Sequence, residues 1–127
     1  MRKAVLCVAV MILGSGAFPI HAAQYAFQNH LSACVSVEPG GTRTQGNLVL
    51  AQTMVRLHKP IGECGCLSAL ASYAASVDRG GARQILQEGL VSLKSGGPKT
   101  FVLATEPGLA ASASGGITIQ LRCTGPL

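Results

Sequence analysis

The chain has 127 residues, ten of them Lys or Arg and five Asp or Glu, with 12% charged and only 4% aromatic residues. That length suits one compact domain with a single core, and after the N-terminal stretch no run is long and apolar enough to span a bilayer. The cations are scattered with no aromatics interleaved, which argues against a nucleic-acid surface.

Met1-Arg2-Lys3 is a short basic head, Ala4 to Ile20 is mostly apolar, and small residues follow at Ala22 and Ala23. A charged head, an apolar middle and a small-residue exit are the parts of a secretory signal peptide. Residues 1–23 are therefore expected to be a cleaved leader, with the cut after Ala22 or Ala23, and 24–127 a single periplasmic domain with no transmembrane segment. Eight cations and all five acids follow residue 23, a mature charge of about +3. Leu31-Ser32-Ala33-Cys34 resembles a lipid-attachment box, but Gln24, Gln28, Asn29 and His30 separate it from the apolar core, so lipidation at Cys34 is disfavoured. Cys7 lies inside the apolar run.

Cys34-Val35-Ser36-Val37 alternates as a first strand and meets a turn signal at Glu38-Pro39-Gly40-Gly41. Asn47 to His58 reads as a long strand buried on much of both faces, with Leu48, Leu50, Met54 and the stem of Arg56 on one side and Val49, Ala51, Thr53, Val55 and Leu57 on the other. The two are expected to form a hairpin. Lys59-Pro60-Ile61-Gly62 then turns the chain into Glu63-Cys64-Gly65-Cys66. If that segment is extended, Cys64 and Cys66 share a face.

Leu67 to Val77 fits a helix or a strand, since Ala favours the former. With period two, Leu67, Ala69, Ala71, Tyr73, Ala75 and Val77 form an unbroken apolar face opposite Ser68, Ser72 and Ser76, so a strand is preferred. Asp78-Arg79-Gly80-Gly81 is a turn, and Gln84 to Leu93 is another strand or a short helix weakened by Gly89. Thr100 to Thr105 is a strand between Gly96-Gly97-Pro98 and Glu106-Pro107-Gly108. Ile117, Ile119, Leu121 and Cys123 alternate with Thr118, Gln120 and Arg122 in the clearest half-buried strand. These elements predict an all-β fold, a small antiparallel sandwich or barrel of about six strands.

Cys34, Cys64, Cys66 and Cys123 remain after cleavage, an even number in a small exported domain, and are expected to form two disulfides. A Cys64–Cys66 bond would close a very small strained ring, so each should reach Cys34 or Cys123. Cys34–Cys64 with Cys66–Cys123 and the crossed pairing are equally open. Each bridge should stabilise by about 3 to 4 kcal/mol in the chain-entropy account.

Two sharper chemistries compete with this staple. Cys64 and Cys66, with Met54 and His58 on one face of the preceding strand, would suit cuprous copper, though Met is ordinarily core filler. A reactive dithiol is weaker, because Glu63 beside the pair would raise its thiol pKa. Catalysis of hydrolysis has little support. Only His30 and His58 follow the leader, and Glu38, Glu63, Asp78, Glu88 and Glu106 are dispersed, while Gly80-Gly81 and Gly96-Gly97 are turns rather than phosphate loops. The residues thus indicate a non-enzymatic domain without a cofactor, binding a protein or envelope component. The alternative is a soft-metal or thiol-redox protein.

Cys64-Gly65-Cys66 with Leu67-Ser68-Ala69-Leu70 and Tyr73, then Phe101 to Thr105, then Ile117 to Cys123 with Pro126, resembles a family of small uncharacterised exported bacterial proteins, domain of unknown function 2195. The resemblance implies a periplasmic address and carries over no catalytic residue.

Overall fold

The computed structural model describes residues 24–111 and 115–125, together with Gly14. The expected leader 1–23, including Cys7 and both cleavage positions, lies outside the described residues apart from Gly14, as does Pro126. Seven strands are described: β1 (Tyr25–Asn29), β2 (Val35–Gln45), β3 (Leu48–Leu57), β4 (Leu70–Arg79), β5 (Ala82–Ser92), β6 (Gly97–Ala104) and β7 (Ile117–Cys123). A 3-10 turn, Ile61–Cys64, precedes β4, and a short helix, α1 (Pro107–Ala111), follows β6. One sheet has the order β1-β7-β4-β5, the other β2-β3-β6. The two pack as a sandwich, the architecture that alternating strands with Gly and Pro turns require.

The core follows from period-two alternation. Ala71, Tyr73, Ala75 and Val77 of β4 and Ile117, Ile119 and Leu121 of β7 bury one face of the first sheet. They meet Val35 of β2, Val49, Ala51, Thr53 and Val55 of β3, and Phe101 and Leu103 of β6. Small alanines in β4 leave room for the rings opposite. Tyr25, Phe27, Phe101 and Tyr73 form an edge-to-face series with centroids 5.9, 5.3 and 5.0 Å apart, the arrangement that ring quadrupoles favour.

Both end hydroxyls of that series satisfy backbone groups of the opposite sheet. Tyr73 passes from β4 over Gly89 of β5, where a Cβ would sit 2.7 Å from its ring, and its hydroxyl donates to Val102 O and accepts from Val102 N–H, each at 3.2 Å. Val102 belongs to an edge strand, so its outward amide lacks a strand partner on that side. Tyr25 accepts from Gly40 N–H at 2.9 Å, and its one hydroxyl proton is shared between Gly40 O at 2.9 Å and Gln52 O at 3.1 Å. This fills the irregularity between Pro39 and Thr42 in the β2–β3 ladder. Burial raises both phenol pKa values above the ordinary tyrosine value, outweighing the lowering by the backbone bonds.

Several boundaries differ from those read in the sequence. Glu38-Pro39-Gly40-Gly41 is a bulge that β2 crosses, not a turn that ends it, and the hairpin turns at Gly46. Proline is tolerated there because β2 is an edge strand. β3 buries chiefly one face, since Met54 is 41% and Leu48 39% exposed, although Leu50 is covered. The run after the cysteines is indeed a strand, but it begins at Leu70, so Leu67 and Ala69 lie off the buried face and are exposed. The segment read as 84–93 is strand through Ser92, part of β5, hairpin-paired to β4 with a bulge between Ala75 and Ser76, and Leu93 lies just beyond its end. Gly97 and Pro98, read as a boundary, open β6, and the turn after it winds into α1.

β1 had no strand signature of its own. It pairs parallel to β7, Tyr25 opposite Ile117 and Asn29 opposite Leu121, so the sheet is antiparallel except at this edge. Asn29 then redirects the chain, its side chain accepting from Leu31 N–H and donating to Val35 O, which carries Cys34 to the start of β2.

Candidate functional site

The segment between β3 and β4 is built by a proline, an apolar anchor and a glycine. Pro60 caps the 3-10 turn with φ −56°, Ile61 is buried beneath it, and Gly65 closes it at φ +92°, a left-handed conformation that suits glycine. Cys64 and Cys66 are therefore not neighbours on a strand, as an extended reading requires. One ends the turn and the other leaves it, with Cys66 N–H bonded to Ile61 O at 3.2 Å.

That divergence sends each sulfur to a different strand. Cys34 and Cys64 are bridged, as are Cys66 and Cys123, with sequence separations of 30 and 57. The first bridge ties the turn to the start of β2, the second to the end of β7. The first bridge therefore reaches an edge strand and the second the interior strand β7. The turn is held further by His58 N–H donating to Cys34 O at 2.7 Å, and β4 and β5 are extended by Leu93 N–H donating to Ala69 O at 2.8 Å.

Between these fixed pieces lies a cleft of about 490 Å³, lined by residues 57–62, 66–69, 93 and 94. Leu57, Ile61, Cys66 and Leu93 supply an apolar floor, of which Ile61 and Leu93 are each 2% exposed. Leu67 stands at its mouth, 84% exposed. The ionisable lining residues are His58, Lys59 and Lys94, and no carboxylate joins them. Ser36 Oγ and His58 Nε2 are hydrogen-bonded, which orients the imidazole from the neighbouring strand. A second depression of about 360 Å³ lies over β4 and β5, where Glu88 and Arg122 mix both charges.

The sequence singled out Cys64, Cys66, Met54 and His58 together. In the structure both sulfurs are in disulfides, Met54 lies on the outer face of β3 opposite Glu38 and Pro98, and His58 is bonded to Ser36. Use of Cys64 and Cys66 as cuprous ligands would require both bridges to be reduced. Among the described residues no group of three His, Cys, Asp or Glu is placed to hold a metal. Lys59, Lys94 and Leu67 were not read as site residues, because a cleft made by two loops distant in sequence leaves no local spacing to read. The one available signal was Leu67, an apolar residue next to a cysteine turn.

No helix among the described residues is long and apolar enough to cross a membrane. Residues 5–126 match the family described as an uncharacterized protein conserved in bacteria (DUF2195). The chain belongs to this family. No curated protein and no solved structure matches it. Its cysteine turn and terminal cysteine strand are the two segments joined by the Cys66–Cys123 bridge.

Proposed function

We propose that this family member is an exported periplasmic domain that binds a protein or envelope component without catalysing a reaction, and that the cleft below Leu67 is the binding surface. The observation that carries the reading is Leu67 itself. A leucine 84% exposed beside a buried apolar floor, on a segment pinned by two disulfides, is rigid apolar surface held out to solvent. Paired cysteines support an oxidising compartment, as does the expected leader. The bond between Cys34 and Cys64 supports the reading of Cys34 as a structural cysteine rather than a lipid-bearing one.

A photo-crosslinking amino acid at Leu67, in cells, tests this. The control position is Arg43 on β2, opposite Leu50 and so separated from Leu57 by seven residues of strand, about 23 Å. We expect an adduct from Leu67 that the double substitution Lys59→Glu, Lys94→Glu abolishes, and none from Arg43. Equal labelling from both positions would refute the assignment. Release of the protein by osmotic shock, with a new N-terminus at Ala23 or Gln24, is the accompanying expectation for export.

A further inference from the structure

The cleft unites two chemistries. Its floor of Leu57, Ile61, Leu93 and the Cys66 sulfur is apolar, whereas Lys59 and Lys94 are exposed cations at its border. Neither ammonium is held by an ion pair among the described residues. A neutral apolar ligand would cover the floor and leave the cations unused. A compact hydrophilic anion would meet the cations and leave the floor wet. An apolar tail ending in one anionic head satisfies both. The volume of about 490 Å³ falls within the range of small-molecule sites, which narrows the envelope component of the reading above to one of that size.

We infer that the cleft takes a single-chain anionic amphiphile of the fatty-acid class, its tail on Leu57, Ile61 and Leu93 and its carboxylate at the Lys59 and Lys94 rim. This rests on the cleft being the binding surface proposed above. Tail burial supplies most of the affinity, since each methylene removed from water multiplies it about fourfold. The head, on exposed lysines, adds less and is screened by salt. The head therefore selects, and the tail binds.

Octanoate, decanoate, dodecanoate and methyl dodecanoate, all below their aggregation limits, are titrated into the oxidised protein and followed by amide chemical shifts. Affinity is expected to rise about fourfold per added methylene while the tail still finds floor. Methyl dodecanoate should bind more weakly than dodecanoate. The double substitution Lys59→Ala, Lys94→Ala should weaken dodecanoate about three- to tenfold and leave the ester unchanged, with an unaltered melting temperature showing that the fold is intact. Equal affinity for acid and ester, shifts centred on Glu88 and Arg122 rather than Leu93 and Lys94, or binding to anionic vesicles alone would overturn the inference. Photo-crosslinking at Leu67 with no dodecanoate binding removes the amphiphile and keeps the binding surface. Loss of both removes the two together.

Discussion

Tyr73 connects the two sheets through a single hydroxyl. Its oxygen satisfies both polar groups of Val102, and Gly89 is the residue beneath because any side chain would meet the ring. Tyr73→Phe should cost about 1 kcal/mol in thermal or denaturant unfolding, the usual net worth of such a bond. The phenol pKa values also set a pH dependence. Tyr25 and Tyr73 are raised above 10.0 in the fold, so between the unfolded and folded values the native state keeps protons that the unfolded chain has lost. Their contribution is fully present below about pH 10 and is lost as pH rises through the folded values. Stability should therefore fall in alkaline solution, with a smaller fall for Tyr25→Phe and Tyr73→Phe; an identical alkaline slope in both variants would contradict the assignment. The inward placement of Tyr73 was legible from its alternation with serines. Its hydrogen-bond partner lies 29 positions away and no local pattern encodes it.

At the scale of elements, the Cys-Gly-Cys turn illustrates how a short motif can specify its partners and hide their order. Adjacency required two different partners for Cys64 and Cys66, as observed, but which partner each takes depends on where β2 starts and β7 ends in space. The bridges close loops of 30 and 57 residues and should each contribute about 4 kcal/mol through the unfolded state. Cys123→Ser is expected to lower stability by about 2 to 5 kcal/mol, and an unchanged melting temperature in the non-reduced protein would contradict that. The bulge in β2 shows the opposite limit. Pro39-Gly40-Gly41 carries the residues of a turn, yet Tyr25 from the other sheet supplies bonds to Gly40 that let the strand continue.

For the molecule as a whole, the two staples and the cleft form one unit in which the start of β2 and the end of β7 are held around a fixed turn. Alkylating the protein as it is released from cells, without reductant, and weighing it intact is expected to block none of Cys34, Cys64, Cys66 and Cys123 until a reductant is added. Two alkylated thiols in the resting protein, together with cuprous binding, would move the function to the soft-metal reading. β1 marks where tertiary context prevailed. Tyr25-Ala26-Phe27-Gln28-Asn29 is short, and it becomes a strand because β7 offers an open ladder and the core offers Phe101 to Phe27.

The sequence by itself determined the β class, the hairpin of the second and third strands, the inward faces of β4 and β7, and that Cys64 and Cys66 take different partners. Period-two alternation and ring strain are local properties, so they are present in the residues before folding. Tertiary structure alone decided the sheet order, the parallel first strand, the pairing of Cys34 with Cys64 and Cys66 with Cys123, and the cleft. These depend on groups tens of residues apart being brought to one place, and the free energy that places them is shared by the whole core. Leu67 shows the difference most clearly. By period it belongs to the buried face of β4, and by packing it stands outside, at the mouth of the cleft.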